Sequence, residues 1–178
     1  EPLVHEIARA VPAGAGKRSR RAQDLDAVLR EGPRALDVSE DDLERTESEG
    51  RLPGADPAAV SERARQRGVG QLGTMGSGNQ FVELQRVERV LDRPAAEAYR
   101  LRENQVTVLI HSGSRGLGHQ VCTDHVKQME GAMRRYGIEL PDRQLACAPA
   151  SCPEGRAYLA AMAAAANFAW ANRQAIAD

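Results

Sequence analysis

The stretch that most constrains this chain is Val106-Thr-Val-Leu-Ile-His111-Ser-Gly-Ser-Arg-Gly-Leu-Gly-His119. It opens as an apolar, β-branched run, which reads as a buried strand. It breaks at Ser112-Gly113-Ser114-Arg115-Gly116, where glycine permits a turn, and then takes up a helical pattern. A strand, a Gly/Ser/Arg turn and a helix start make a natural anion site, because free N–H groups and the helix dipole face the turn. His111 falls at the strand's carboxyl end, where α/β proteins tend to place chemistry. Arg115 offers a two-pronged contact to phosphate. The same spacing also suits a plain strand–helix connection around a partly buried histidine.

The rest of the chain is read against that unit. Its 178 residues suffice for one domain, residues 1–178, with a core of its own. Aromatic residues make up only 3%, so the core must lean on Ala, Val, Leu and Ile. A formal net charge of −1 excludes a global basic field, so any phosphate site has to be local. Cys122, Cys147 and Cys152 are odd in number and form no paired motif, which argues for reduced thiols. No apolar run reaches membrane-spanning length and no secretory signal opens the residues given, so a cytoplasmic protein without a membrane partner is expected. The first residue is Glu1 and the last stretch is helical in pattern, so the chain reads as a piece of a longer protein.

Before the central unit, a short helix carries Leu3, Val4 and Ile7, and Val11 to Arg18 reads as a flexible basic loop without the full phosphate-loop spacing. A helix over 24–31 stops at Gly32-Pro33. Ser39-Glu-Asp-Asp42 starts another, with a hydroxyl cap and carboxylates against the dipole. Seven carboxylates lie between Asp37 and Glu49, against one arginine, and read as a solvated face. Asp56-Pro57 caps a helix from Ala58 to Arg67, whose Arg63, Arg65 and Arg67 suit either a helix C-terminus or a phosphate patch.

Gln71-Leu-Gly-Thr-Met-Gly-Ser-Gly-Asn79-Gln80 precedes a strand over 81–87. Alternation puts Phe81, Glu83 and Gln85 on one face and makes Val82 and Leu84 core candidates. Phe81 and Glu83 together suit a flat, donor-bearing ring; a half-exposed strand with a scattered Phe is the plainer reading. After a helix near 93–100 and the central strand, the helix beyond it shows an apolar stripe at Cys122, Val126, Met129, Met133 and Tyr136 and ends at Gly137. His119 and His125 are six apart, no helical ligand pair, and read as surface or capping residues. Ser151-Cys-Pro-Glu154 has the form of a capping box before an alanine-rich helix. There Asn167, Asn172 and Arg173 read chiefly as polar edges of a core helix. The fold class expected is α/β, mixed α+β, with strands near 81–87 and 105–111 and helices packed around the sheet.

Three stretches in register resemble the RtcB family of RNA ligases: 72–83, 110–121, and 151–159 running into 164–174. Asp42-Leu-Glu-Arg-Thr-Glu47, Gly54-Ala-Asp-Pro57 and Val60-Ser-Glu-Arg-Ala64 match in order as well, so the resemblance covers nearly all of the chain from about residue 40. It implies an RtcB-like fold. It also implies joining of RNA ends (tRNA halves or broken RNA) that carry a 2′,3′-cyclic phosphate or 3′-phosphate to 5′-hydroxyl ends. GTP and two manganese ions would serve, through a guanylylated histidine, in a monomer. By the same resemblance His111 is a manganese ligand, Asn79 a contact to the GMP phosphate, Phe81 and Glu83 the guanine pocket, and Arg115 and Arg67 contacts to RNA phosphate. His119 matches the family pattern without a metal role.

One departure stands out. Where the family carries a metal-binding His after the Asn, this chain has Gln80, a weaker donor for manganese, so impaired metal binding is expected there. The family's upstream Asp/Cys ligands, its later metal-binding His and the guanylylated His have no counterparts in this chain, and residues 175–178 leave the pattern. The isolated piece is therefore expected neither to guanylylate itself nor to ligate RNA. Three readings follow: the middle of a ligase active site, a degenerate relative that binds RNA ends or a nucleotide, and a generic α/β phosphate-binding domain. The first two require the side chains at 79 and 111 to converge from neighbouring strand ends.

Overall fold

The computed structural model describes residues 2–14, 24–142 and 145–178. Among these residues, seven α-helices and two strands follow one another as α1 (Pro2–Ala10), α2 (Leu25–Glu31), α3 (Glu40–Glu44), α4 (Glu62–Gly68), β1 (Phe81–Arg86), α5 (Arg93–Ala98), β2 (Val106–His111), α6 (Arg115–Tyr136) and α7 (Pro153–Ala177). Short 3-10 turns cover Gly32–Ala35, Glu47–Gly50 and Pro57–Ala59. The class is mixed α/β, as expected. The expected basic loop falls outside the described residues from Ala15 to Arg18.

The core is helical. Val28 and Leu29 of α2, Ala64 of α4, Leu117 and Val121 of α6, and Ala161, Ala164, Ala165, Phe168 and Ala171 of α7 form one buried apolar cluster with Val60 and Leu72. Each fully buried Leu or Phe contributes roughly 1.5–3 kcal/mol of transfer free energy. Small side chains set the spacing: a Cβ on Gly68 would lie 2.6 Å from Leu117 Cδ1, so α4 reaches α6 only because that position is bare. The 25-residue α7 is the central pillar, and its run of alanines lets α2 and α6 approach closely.

Two side chains in α7 fasten other segments to it. Asn167 is fully buried; its Nδ2 donates to the Leu29 and Arg30 carbonyls at 3.1 Å, and its Oδ1 accepts from Leu52 N at 2.8 Å. Asn172, also fully buried, does the same on the other side of the helix end, as described below. Their reading as polar edges is corrected: each satisfies backbone groups that the core would otherwise strand without water.

The two strands pair antiparallel, Phe81 opposite His111 through Arg86 opposite Val106, as a two-stranded ribbon. The buried-strand reading of 106–111 is corrected, since Val106, Val108 and Leu109 are exposed, as is the core candidate Leu84, while Val82 is only half-buried. A two-stranded ribbon has too little beside it to cover either face, and only its start, at Phe81 and His111, adjoins the helical body.

Three local readings shift. The buried face of α6 is Leu117, Val121, His125, Met129 and Ala132, turned away from the expected stripe; Cys122 and Tyr136 are exposed. Spacings of four and three fit several faces of one helix, and packing on α7 chose this one. His125 is thus buried, its ring 5.6 Å from that of Tyr158, not a surface residue. Cys152 rather than Ser151 caps α7, its Sγ accepting from Gly155 N at 3.3 Å. The helix expected from Ala58 is broken: Asp56 caps a 3-10 turn, and Ser61 caps α4 anew. The other boundaries agree, including Gly137 in the left-handed conformation that ends α6.

Candidate functional site

The three stretches singled out in the sequence meet where β2 gives way to α6. The glycine-rich segment 71–80 lies beside the 112–116 turn, and α7 brings Asn172 up from below. Asn172 Oδ1 accepts from Thr74 N at 3.1 Å. Its Nδ2 donates to the Thr74 carbonyl (3.2 Å), to Ser112 Oγ (3.1 Å) and to the Gly113 carbonyl (3.1 Å). Thr74 and Ser112 are buried with it. In this water-poor setting each bond holds a group whose loss of hydration would otherwise count against folding.

Gln71 supplies the cap that Ser114 does not. Its Oε1 accepts from Gly116 N at 3.0 Å, satisfying a free N–H in the first turn of α6. Gly116 also lets the start of α6 pack closely on α4, since a Cβ there would lie 3.0 Å from Gln71 Oε1 and 3.4 Å from Arg67 Cβ. Arg67 and Arg115 therefore flank the start of α6, whose first turn holds no acidic residue. Arg67 is exposed and donates to Gln120 Oε1 at 3.0 Å.

Arg115 is more enclosed. Its Nε donates to Thr74 Oγ1 at 3.0 Å and its NH2 to the Gly14 carbonyl at 3.3 Å. Its backbone φ of +54° is in the left-handed region, uncommon for a residue with a side chain. Burial lowers its pKa from the usual guanidinium value. Arg173, from the last turns of α7, donates to the Ser112 carbonyl at 3.1 Å, and burial lowers its pKa too, against a partial lift from Glu47. Neither guanidinium takes part in an ion pair among the described residues. Two partly desolvated cations beside the start of a long helix give a local positive field in a chain of near-zero net charge.

Phe81 and His111 face each other across the ribbon, ring centroids 5.2 Å apart at 71°, an edge-to-face contact. Glu83, two residues on, is on the same face and exposed. The result is an aromatic wall with a carboxylate beside it. Asn79 is exposed, two residues before Phe81, at the end of the glycine segment. Phe81, two residues after Asn79, is the one that pairs with His111 at this end of the ribbon. His119 is exposed on α6.

Gln80 points inward instead. Its Oε1 accepts from Gly76 N at 2.8 Å and from Ser112 Oγ at 2.9 Å. Gly76 must be glycine for this, because a Cβ there would lie 2.5 Å from Gln80 Cδ and 2.4 Å from Arg115 NH1. A carboxamide oxygen has two lone pairs, and both are engaged. His111 is the one imidazole at this end of the ribbon, and no group of three or more His, Cys, Asp or Glu able to hold a metal ion occurs among the described residues. The donors among the described residues do not by themselves fit a manganese site. Thr74, Ser112, Gln71 and the linking roles of Asn172 and Arg173 are what sequence reading missed. The available signal was two asparagines, five apart, in a helix whose buried residues are otherwise mostly alanine.

Among the described residues no helix is long and apolar enough to cross a membrane. The family model for RtcB, the tRNA-splicing ligase, matches residues 1–178. An RNA-splicing ligase RtcB of Mycobacterium tuberculosis is 53% identical over 184 residues, which take in 99% of this chain and 43% of that protein. The tRNA-splicing ligases RtcB of Archaeoglobus fulgidus and Pyrococcus furiosus are 52% and 51% identical, over 98% of this chain and 38% and 19% of theirs. The chain thus spans less than half the length of these curated relatives. With its three motifs gathered around one buried asparagine and the family model matched from end to end, this chain belongs to the RtcB family.

Proposed function

We propose that this chain is the RNA-end-binding and nucleotide-binding middle of an RNA ligase, and that the complete protein joins RNA ends. Relatives named as RNA-splicing ligases, about half identical over nearly all of this chain, support the reaction class. The observation that carries the reading is that Arg115, partly buried, and Arg67, exposed, flank the first turn of α6, which holds no acidic residue, and that neither is in an ion pair among the described residues. Backbone N–H groups, a helix dipole and forked Arg donors are what an RNA phosphate requires. Arg115 and Arg67 are the proposed phosphate contacts.

GTP is the proposed nucleotide. Phe81 offers an apolar wall for a purine, and Glu83 offers an acceptor for the N–H donors that distinguish guanine. Asn79, next to both, would meet the phosphate. Bound GTP supplies an activated phosphoryl group; this chain's residues bind and orient it. The family resemblance also implies two manganese ions, with His111 as a ligand. Among the described residues, the Gln80 oxygen is already engaged by two donors and His111 has no second imidazole or thiolate beside it, so the remaining ligands would come from elsewhere in the parent protein.

The test uses the full-length parent protein, GTP, manganese, and labelled RNAs with 3′-phosphate and 5′-hydroxyl ends. Joined product is expected, and Arg115→Ala is expected to weaken RNA binding about uniformly across sequences. A folded parent that binds RNA ends and joins none of them supports the second reading, a binder of RNA ends. The engaged oxygen of Gln80 is the observation that favours it. The isolated 178-residue chain is expected to form no covalent GMP adduct in either case.

A further inference from the structure

We propose that Gln80 is a positioning residue that locks the glycine segment onto the end of β2 by hydrogen bonds alone, with no metal ion between them. The polarity of the contacts fixes the assignment. Gly76 N–H can only donate, so the atom facing it is the carboxamide oxygen. Ser112 Oγ receives Asn172 Nδ2–H, so its own hydrogen is directed to the same oxygen. The order of donation runs from Asn172 to Ser112 to Gln80, and from Gly76 to Gln80. One acceptor thus joins the glycine segment to the end of β2, and Ser112 passes the link on to Asn172 of α7.

Only a side chain with two acceptor sites on one oxygen, or on two adjacent oxygens, can do this here. A neutral imidazole has one acceptor nitrogen and would leave either the Gly76 N–H or the Ser112 O–H unpaired. An oxygen that serves two donors has no lone pair left for a cation. The lock also sets the positions of Asn79 and Phe81, the residues on either side of Gln80. It stands whether or not the parent protein ligates RNA.

Amide hydrogen exchange and manganese-induced line broadening, read by NMR on the 178-residue chain, test this without any activity. The Gly76 amide should be protected in the unaltered protein. Gln80→Ala should speed its exchange on the order of tenfold or more, and Gln80→Glu, which keeps two acceptor oxygens, should restore the protection. One equivalent of manganese should leave the Gly76, Gln80 and Ser112 signals of the unaltered chain sharp. Unchanged exchange in Gln80→Ala, or selective broadening of those three signals, overturns the proposal. Should Gln80→Ala fail to fold, the broadening measurement on the unaltered chain decides alone.

Discussion

The helical body and the β-ribbon of this chain both carry apolar residues and end in opposite states. In the body, Leu117, Phe168 and Val28 are essentially inaccessible. In the ribbon, Val106 is 68% exposed and Val108 57%. Val82, Leu84, Val106, Val108 and Ile110 share one face of the ribbon, with Arg86 the one polar residue on it. The presence of apolar residues does not separate the two regions. The partner does: α6 has α7 to pack on, and the ribbon has only itself beyond its first pair. Apolar residues register a tendency to be covered; a second layer must exist before they stabilise anything.

Substitutions sharpen this contrast, beginning where the largest effect is expected. Asn172→Ala should cost about 4 kcal/mol in urea unfolding, because Thr74 N and three acceptors lose their partner inside the protein. A cost below about 1 kcal/mol would mean that the junction is wet. Leu117→Ala should cost about 3 kcal/mol through the cavity left between α4 and α6.

Asp124 gives a smaller, pH-dependent effect. Burial works to raise its pKa, but donation from Ser61 Oγ (2.6 Å) and Gln120 Nε2 (2.7 Å), with Lys127 and Arg63 nearby, leaves it below the usual carboxylate value. A depressed folded-state value contributes stability that is complete above the unfolded value of about 3.9 and is lost as pH falls through the folded one. Asp124→Asn should therefore flatten the acid limb of the stability curve and cost about 1 kcal/mol or less at neutral pH. A parallel acid limb in both proteins would break the link between α4 and α6 that this carboxylate makes. The smallest effect belongs to the ribbon: Val108→Thr should change unfolding free energy by less than about 0.5 kcal/mol. A loss comparable to that of Leu117→Ala would show that the apolar face is covered in solution.

Much of the site was legible. The departure at Gln80 was visible only against the family resemblance, whereas the turn at 112–116 and the face shared by Phe81 and Glu83 showed as residue types at fixed spacing. Local rules govern these features, because alternation along a strand and the breaking of a helix at glycine depend on near neighbours. Less legible was everything that crosses between segments. Asn172 looked like a polar edge because nothing near it in the chain hints at Thr74 or Ser112. The face of α6 was misjudged because its apolar residues fit more than one stripe. Cys152 took the cap from Ser151 by one residue, within the margin at which helix ends compete.

The sequence by itself determined which segments are helix and strand, where the chain turns, and that a guanidinium and an imidazole bracket the Ser112–Gly113–Ser114 turn. Those outcomes follow from backbone sterics and side-chain pattern over a few residues. Only the tertiary structure decided which apolar faces are covered and which polar side chains carry the junction. Gln80 shows why: a carboxamide is a ligand, a surface group or a lock according to which donors reach its oxygen, and while Gly76 lies only four residues back, Ser112 is brought to it by the fold from 32 residues away.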